Sequence, residues 1–567
     1  MLVALLAVTF QLGFASNDAP LRRSDAAQAA DSARDLEAAH SAQTSFEFAR
    51  RYSLPQRYGS SGPCTVRLGR YCWWLDETEP ELPPEPESIT RKRGELLATL
   101  DALGAQHPGD EWLAGMRVHY RIDGKNFAGA DSVARDCGAT RWWCLALVGY
   151  ADHVLGEPAA AESAFVAALD SMPADEACRW RDMTLLLSGD TRSRYEKESC
   201  PERRAFEDRY WLLSRPRLGA GGNEWRTEFY VRKVQARLAR RSANPQPGSW
   251  GRDAEELLLR FGWPVAWSRE QSGATMIGEP SIVGHDPVPS FNFAPVDEMF
   301  DSLASAQDDA WDLRAKDAEA RFAPRGVRRV SHVGMQLARF RRGDSILVVS
   351  AFNVKDDSLY EPTSTVLAAT LPDGSTRVAE ASGSAGTVAL MLESPPVLAG
   401  VEVEDSSTAT LARSRALYPP PGRDSGLAVS DLLLFRVAHG APESLTAALD
   451  LAVPGDTMSR EKPIGIYWES YGVAEQGEAL DVSVTVERID HSWLRGVRQR
   501  LRMEDPDSPL KLRWSDARPA APGEPLSRAI TLDLGNLSAG KYRISLALTR
   551  ADGTEARSAR EIELTDR

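Results

Sequence analysis

Apolar positions repeat at helical spacing in the first part of the chain and at strand spacing in the last part. Leu96, Leu100 and Leu103 share one face of a helix that Ser88 can cap. From about Arg328 onward, apolar and polar residues alternate instead. This change predicts a multi-domain α + β chain, with helices in the N-terminal half and β-sheet in the C-terminal half.

The predicted strands fall into two groups separated by the proline-rich run Tyr418-PPPGRDSG. The first group includes Gln336-LARFRR, Ser345-ILVVSAFNV, Thr363-STVLAATL and Thr387-VALML. The second group includes Leu427-AVSDLLLFRVA, Ile464-GIYWESYG, Leu480-DVSVTVERI, Leu510-KLRW, Ile530-TLDLG and Tyr542-RISLALTRADG. Short strands at this spacing predict two immunoglobulin-like β-sandwiches, over residues 328–420 and 421–567.

A helix-turn-helix pattern runs from Trp143 to Pro173. Its small and bulky residues follow in the order Trp143, Gly149, Ala161, Phe165, Ala168 and Pro173. This order resembles the tetratricopeptide repeat, and Trp112 stands 33 residues before Leu145, near the repeat's period. The resemblance implies a helical-repeat region over residues 88–200 whose concave surface binds a protein partner. A helical domain that only supports its neighbours is the alternative.

The segment between Glu202 and Pro264 resembles the GWxTD domain of secreted bacterial proteins. The matching parts are the Phe206 and Trp211 helix, the Asn223-Glu224 pair, Gly248-Ser-Trp250-Gly-Arg-Asp253 and Leu257-LLRFGWP. Ser249 and Gly251-Arg252 depart from the usual spacing. The resemblance implies a helical domain and loop over residues 201–327, and it implies no established activity.

The first fifteen residues, Met1 to Ala15, are uncharged and apolar, and they end in small residues. This pattern resembles a secretory signal cleaved after Ala15, although its usual positive start is missing. A buried apolar helix is the alternative. Residues 16–87 are predicted to form an arm, a disulfide knot and a proline-rich linker, Glu77-TEPELPPEPE-Ser88. No later run has the length of a membrane span, so we expect no stable span after cleavage.

All the cysteines lie in the first 200 residues, and their number is even. They are Cys64, Cys72, Cys137, Cys144, Cys178 and Cys200. Pairing of sequence neighbours would close three short loops, and this is the predicted connectivity. No close thiol pair or nearby histidine suggests zinc. Disulfides and the signal-like start together predict export to the periplasm or the extracellular space.

Composition narrows the function classes. The net charge of −14 and the pI near 5.3 oppose attraction to nucleic acid or anionic lipid, because both require a positive field. A chain of 567 residues with 43% hydrophobic and 26% charged residues is expected to form several globular domains.

Catalytic patterns are sparse. His285 and Asp286, in a polar stretch near Phe291 and Phe293, mark the most favourable place for a pocket, with a solvated loop histidine as the alternative. Ser459-Arg-Glu-Lys462 matches a serine–lysine pattern, but it lies between strands and lacks the partner motifs. No metal or cofactor site is predicted.

Three further motifs have local structural explanations. Gly219-AGG-Asn223 can hold an anion on its amides, but Asn223 also fits a helix cap. Arg342-Gly343-Asp344 fits a hairpin turn. A basic run follows Asn223 and is interpreted as a solvated helix face, with an acidic partner or domain interface as the alternative. The run comprises Arg226, Arg232, Lys233, Arg237, Arg240 and Arg241.

These observations favour an exported, non-enzymatic scaffold of the cell envelope whose helical repeats bind a protein partner of unknown identity. Two alternatives stay open. One is an extracytoplasmic enzyme or carbohydrate-binding protein with a site near His285. The other is an envelope structural protein that self-associates.

Overall fold

The structure is a computed structural model, and it describes most of the chain after residue 18. The described residues are 19–57, 66–68, 71–73, 84–248, 250–270, 281–285, 289, 291–301, 310–314, 319–354, 362–418, 426–438, 440–473, 479–490, 509–517 and 524–566. The chain forms two compact units: unit 1 is Met1–Trp180 with Thr227–Pro287, and unit 2 is Arg181–Arg226 with Val288–Arg567. The division therefore crosses the predicted 201–327 domain.

The helices lie mainly in the N-terminal half, as the spacing of apolar residues predicted. They are α1 (Ala19–Ser53), α2 (Glu87–Gln106), α3 (Glu111–Asp123), α4 (Phe127–Arg135), α5 (Arg141–Leu155), α6 (Pro158–Ser171), α7 (Ala174–Arg181), α8 (Gly189–Tyr195), α9 (Cys200–Leu213), α10 (Glu224–Ala239), α11 (Arg252–Phe261), α12 (Glu298–Asp301) and α13 (Leu445–Asp450).

The strands lie mainly after residue 328. They are β1 (Gln56–Arg57), β2 (Val66–Leu68), β3 (Tyr71–Trp73), β4 (Ala266–Glu270), β5 (Ser281–His285), β6 (Arg329–Ser331), β7 (Gly334–Arg342), β8 (Ser345–Asn353), β9 (Ser364–Thr370), β10 (Thr376–Ala381), β11 (Ala385–Leu392), β12 (Leu398–Asp405), β13 (Thr410–Leu417), β14 (Ala428–Val429), β15 (Leu433–Arg436), β16 (Thr457–Ser459), β17 (Ile464–Tyr471), β18 (Leu480–Arg488), β19 (Leu510–Asp516), β20 (Leu526–Leu532), β21 (Gly540–Thr549) and β22 (Glu555–Thr565).

Unit 1 contains two successive helix pairs, α3 with α4 and α5 with α6. In the second pair, a Cβ on Gly149 would lie 2.9 Å from the Phe165 ring, so the absent side chain permits the close approach of α5 and α6. The pairs begin 30 residues apart, at Glu111 and Arg141. Trp142, and not Leu145, therefore occupies the helix position that Trp112 occupies in the first pair.

A small sheet completes unit 1. Its order is β1, β4, β5, with β1 parallel to β4 and β5 antiparallel to it. The hairpin β2–β3 contains Cys72, whose predicted partner Cys64 lies outside the described residues. Cys137 and Cys144 form the disulfide expected from their spacing, which joins the ends of α4 and α5. Cys178 and Cys200 are also each disulfide-bonded.

The first β module of unit 2 spans residues 328–418. One sheet has the order β10, β9, β12, β13, β6, and the other has the order β11, β8, β7. Residues from both sheets share one apolar core, for example Phe352 from one sheet and Leu367 and Val401 from the other. Two sheets around one core are the coarse arrangement that the alternating pattern predicted.

The second β module spans residues 426–566. In one sheet β14 and β15 pair with one edge of β17 and β20 pairs with its other edge, while the second sheet has the order β16, β22, β21, β18, β19. Trp468, Val484 and Ile544 lie in the core that the two sheets share. The predicted strand Leu427-AVSDLLLFRVA is interrupted, because residues 430–432 separate β14 from β15. Among the described helices, none has the length and apolarity needed to cross a membrane.

A matched pair of glycine substitutions tests the packing of α5 against α6. Gly149→Ala should lower the free energy of unfolding by about 1–3 kcal/mol, because its new Cβ overlaps the Phe165 ring. Gly94→Ala should raise it by about 0.5–1 kcal/mol, because Gly94 is exposed in α2 with no atom near its Cβ position. Denaturant unfolding of the full chain measures both, and equal effects would contradict the assignment.

Candidate functional site

Helix α10 is buried along most of its length, contrary to its interpretation as a solvated basic face. Phe229, Val234 and Leu238 are buried, and so is Arg232. The basic residues were expected to face water because charged side chains rarely enter a core. Arg232 and Arg237 are instead tolerated because acidic residues of the same chain pair with them. The last two arginines of the run lie after the helix and are exposed, as expected.

Arg237 occupies the best-defined charged site of unit 1. Its guanidinium donates to Glu111 at the start of α3, with 2.6 Å between Nη2 and Oε2, and lies 3.4 Å from Glu176 on α7. It also stacks over the rings of Trp142 and Trp143, 4.9 and 5.1 Å from their centroids. We call these five residues the Arg237 site. Three helices thus recognise one side chain of α10 through charge and aromatic faces.

Glu176 is held in its charged form within this site. Burial alone would raise its pKa, but hydrogen bonds from Arg179 and Trp180, together with Arg237, lower the pKa below its ordinary value. Trp180 donates its Nε1 proton to Glu176 over 3.0 Å. The carboxylate is therefore ionised at neutral pH and available as a partner for the guanidinium.

Glu228, in the first half of α10, is the centre of a second group of charged residues. Glu228 accepts from Arg232 over 2.6 Å, and its other oxygen lies 2.9 Å from Nε2 of His153 on α5. Burial raises the pKa of Glu228, but Arg232 and His153 outweigh burial and lower it to about 2. The other ring nitrogen of His153 bonds the Thr227 hydroxyl at 2.9 Å. Because Thr227 is fully buried, this arrangement orients the histidine and presents no nucleophile to solvent.

Arg232 also explains the glycine of the Gly262-Trp-Pro sequence. Its Nη1 donates to the carbonyl oxygen of Leu259 over 2.9 Å, at the C-terminal end of α11. Gly262 follows α11 with a φ of +89°, and a Cβ there would lie 3.1 Å from the guanidinium. The absence of a side chain at Gly262 therefore permits both the positive φ at the end of α11 and the close approach of the Arg232 guanidinium.

Apolar and neutral contacts extend the same interface along α10. Tyr230 packs against Phe165 with 5.4 Å between ring centroids, and Gln235 donates to the Tyr150 hydroxyl over 3.1 Å. A Cβ on Gly115 would lie 2.5 Å from Leu238. One side of α3, α5 and α6 is thus covered by the chain's own helix α10.

A buried polar network holds α1 against α3 in unit 1. Gln43 and Glu47 both bond the Tyr120 hydroxyl, at 2.7 and 2.8 Å. Arg50 bonds both Glu47 and Asp123. Burial raises the pKa of Asp123, but Arg50 on α1 and Arg93 on α2 lower it to about 2. These charges are stabilised by one another, so the network fixes the position of α1.

His285 is the last residue of β5 and is buried, not a solvated loop residue. Its Nε2 lies 2.6 Å from the hydroxyl of Ser268 on the neighbouring strand β4. Ser268 is only 2% exposed, so neither group is open to a substrate from solvent. Asp286, predicted beside it, lies outside the described residues. Phe291 and Phe293 are buried and pack on each other in unit 2.

The serine–lysine pattern has no catalytic geometry. Ser459 ends β16, and its hydroxyl accepts from the backbone of Glu461 at 3.3 Å, while Lys462 is exposed in the turn before β17. The Arg342-Gly343-Asp344 tripeptide is a hairpin turn between β7 and β8, as predicted. Gly343 has a φ of +61°, and the Arg342 guanidinium bonds both oxygens of Glu469.

The glycine-rich segment before α10 ends in a helix cap, as the Asn223 interpretation predicted. Asn223 caps α10 by accepting from the backbone of Arg226 over 3.1 Å. The amides of Leu218 and Gly219 hold an anion, which is the carboxylate of Glu402 on β12, at 2.6 and 2.9 Å. Burial raises the pKa of Glu402, but Arg415 and these amides outweigh burial and lower it. This carboxylate lies at the start of the glycine-rich segment and not at the N-terminus of α10, where the anion was predicted.

Two arginines of β13 complete this contact, and sequence reasoning did not identify them. Arg413 and Arg415 are buried, and both donate to the carbonyl oxygens of Arg215 and Pro216 at 2.5–2.9 Å. Arg415 also bonds Glu402 over 2.9 Å. The outward-facing residues of β13 thus anchor a backbone segment. Among the described residues, no three histidine, cysteine or carboxylate side chains converge on a point that could hold a metal ion.

Comparisons with known proteins identify no family. No family model and no curated protein matches the chain. Solved structures with partial similarity include a tetra-tandem repeat from the extending region of a large adhesion protein, at 11% identity and a TM-score of 0.14 over 41% of this chain and 50% of that one. A 1.5-MDa bacterial ice-binding adhesin matches at 10% and 0.14, over 41% and 64% of the two chains. Red sea bream transglutaminase matches at 10% and 0.13, over 42% and 32%. The matches thus span less than two thirds of each of those chains, and function is argued below from this chain alone.

Removal of the Arg237 guanidinium should destabilise unit 1. Arg237→Ala leaves Glu111 and Glu176 without their shared partner and uncovers two tryptophan rings, so we expect a loss of about 1–3 kcal/mol in unfolding free energy. Arg240→Ala is the matched control, because Arg240 is an exposed residue directly after the same helix with one ion pair. Chemical denaturation followed by tryptophan fluorescence measures both, and equal losses would contradict the assigned role of the Arg237 site.

The low pKa of Glu228 predicts acid sensitivity. The unfolded carboxyl group takes up a proton as the pH falls below about 5, while the folded one stays ionised to about 2, so the unfolded state binds more protons in this window. The stabilisation, about 3 kcal/mol at neutral pH, is therefore lost as the pH falls from 5 to 2. Glu228→Gln should flatten the stability curve in that window, whereas the exposed Glu37→Gln should leave its slope unchanged. Unfolding free energies from pH 2 to 7 provide the test, and parallel curves for all three proteins would refute it.

Proposed function

We propose that this protein is an exported, non-enzymatic scaffold of the cell envelope, in which the two β modules of residues 328–566 form a rigid β arm and unit 1 binds a protein partner. The single observation that supports this most directly is the junction between the two β modules of unit 2. This junction is apolar and charged at once, and it joins the modules into one body. A rigid arm suits a protein that holds others at a set distance.

The apolar part of the junction is a cluster shared by the two modules. Phe340 and Val349 of the first module pack with Phe435, Leu445 and Tyr467 of the second. All five side chains are buried. Burial of this kind opposes hinge motion, because separation of the modules would expose the whole cluster to water.

Directional bonds surround this cluster. The Gln336 amide bonds both backbone groups of Leu434, at 2.7 and 3.0 Å, and the carbonyl oxygen of Val453 at 2.6 Å. Arg339 forms a two-point ion pair with Asp431, at 2.8 and 3.1 Å. These bonds support one relative orientation of the modules, because each requires its partner at a fixed distance.

An immunoglobulin-like type for the second module is part of the proposal. Tyr542, near the start of β21, donates its hydroxyl proton to the carbonyl oxygen of Ser538 four residues upstream, over 2.9 Å. A tyrosine that bonds backwards across a strand corner is typical of such sandwiches. Arg488 also bonds this hydroxyl, at 3.1 Å. The corner therefore supports the proposed type for residues 421–567.

The helical part of the proposal concerns the partner. The tetratricopeptide-like resemblance favours protein binding, but α10 covers the side formed by Trp143, Tyr150 and Phe165. We therefore assign the partner to the outer side of α1, where Phe48 and Tyr52 are 55% and 46% exposed and lie 4.8 Å apart. Arg51, between them, bonds two backbone carbonyls and so holds this side of α1 in place.

Disulfides support export, because the described cysteines are bonded and such bonds persist in oxidising compartments. A signal cleaved after Ala15 belongs to the same proposal, and residues 1–18 lie outside the described part of the chain.

Cross-linking in cells, followed by affinity purification and mass spectrometry, tests the function. We expect one recurrent protein partner, cross-linked to unit 1, whose yield falls at least about tenfold when Phe48 and Tyr52 are both changed to serine. Val378→Ser is the matched control, because Val378 is equally exposed on the β arm. An unchanged yield would exclude the α1 surface. Recovery of only the protein itself would favour self-association over partner binding.

A further inference from the structure

The first β module has a topology that matters when a chain is pulled from its ends. Its first strand, β6, pairs in parallel with its last strand, β13, with Arg329 opposite Thr410 and Ser331 opposite Ala412. The chain enters the module at β6 and leaves it after β13. Tension along the chain therefore pulls these two neighbouring strands in opposite directions along their own length.

Parallel terminal strands resist such tension differently from a hairpin. In a hairpin pulled at its open end the load falls on one hydrogen bond at a time, whereas strands pulled along their length in opposite directions share the load among all the bonds between them. The rate of forced unfolding is set by the barrier to that first step. Backbone bonds from Arg328 and Arg329 to the Ala409 carbonyl oxygen, at 2.7 and 3.1 Å, close the entry end of the pair. A buried bond from Val333 to the Ser414 hydroxyl, at 3.0 Å, closes the other end.

The environment of β13 strengthens this pair. All eight residues of β13 are buried, so both faces of the strand are shielded. Its inward side chains lie in the module core, and Arg413 and Arg415 hold the 215–216 backbone over the other face. Water therefore has little access to the backbone of β13 when its hydrogen bonds stretch. Breaking these bonds leaves buried backbone groups unpaired, which costs free energy.

The second module repeats the parallel arrangement at its C-terminal end. β16 runs parallel to the last strand, β22, with Thr457 opposite Glu563 and Ser459 opposite Thr565. Backbone bonds of 2.9 and 3.0 Å flank this pair, from Glu563 to Asp456 and from Arg460 to Thr565. The last strand of each module is therefore clamped by an earlier strand of the same direction.

We propose that the β arm of residues 328–566 is a force-bearing tether, whose parallel terminal strands β6 and β13 resist tension applied through the chain. This deepens the scaffold function and rests on it, because a tether has a use only where the protein connects two bodies. The apolar and charged junction between the modules adds to this role, since a hinge-free arm transmits tension to this strand pair.

Single-molecule force spectroscopy on the full chain, held at its two ends, tests the tether. The 91 residues from 328 to 418 should give a length gain of about 30 nm on unfolding, or a larger step that includes the second module if the two open together. Arg329→Pro deletes a backbone donor of the β6–β13 pair, and its side chain is exposed, so the core is unaffected. We expect the unfolding force of this step to fall by roughly a third or more.

Arg377→Pro is the matched control. Arg377 is an exposed residue of β10, which is also a sheet edge but pairs antiparallel with β9 and is not a terminal strand. We expect this variant to keep the wild-type unfolding force while losing a similar amount of thermal stability. Equal force losses in the two variants would overturn the tether, and so would a wild-type arm that opens at forces no higher than the helices of unit 1.

The second comparison needs no variant, so the proposal stays testable if Arg329→Pro fails to fold. The measurement uses purified protein without a partner. A low unfolding force would therefore reject the tether without affecting the result of partner capture in cells. Failure to capture a partner would reject the scaffold function without affecting the measured unfolding force.

Discussion

A buried guanidinium must find acceptors at fixed positions, and this requirement organises both units. An unpaired charge inside a protein is among the most costly features that a fold can contain, whereas a paired and fully hydrogen-bonded one is tolerated. In unit 1, Arg237 and Arg232 on α10 determine where α3, α5, α7 and the end of α11 must lie. In unit 2, Arg413 and Arg415 determine the path of residues 215–216. The apolar cores supply most of the driving force, but the arginines select one arrangement.

The same requirement explains the long-range character of the fold. Arg413 bonds the backbone of Arg215, about two hundred positions earlier, and Gln43 bonds the backbone of Ala243 at a similar separation. Such contacts join segments that local propensity treats as independent. They also explain why α10, with its mixed basic and apolar sequence, is stable as a buried helix: each charge that enters unit 1 meets a carboxylate or a carbonyl oxygen there.

Local signals predicted much of this architecture, and non-local ones were missed. Period-two alternation located β18 and β21, because each has one face toward a core. Strands β7, β8 and β17 were located by their apolar content, because one face of each lies in a module core and the other in the junction cluster. The small residue Gly149 correctly indicated a close helix pair, and Asn223 a helix cap. The burial of α10 was not predicted, because its charges are neutralised by Glu111 and Glu176, which are distant in sequence. Strand β13 was also not predicted, because two of its outward residues are arginines, which are normally exposed to solvent. The alternation of Arg413 and Arg415 with small residues along β13 was the available signal.

The order in which the chain contributes segments to its two units has a consequence for synthesis. Unit 1 contains residues 227–287, which follow residues 181–226 of unit 2. A nascent chain of 180 residues therefore lacks α10, and the apolar sides of α3, α5 and α6 stay uncovered until some sixty further residues are made. Unit 1 can therefore complete its core only after part of unit 2 has been synthesised. Gene fragments that end at residue 200 would share this incomplete state, so the helical half cannot be exchanged between proteins as a free-standing cassette.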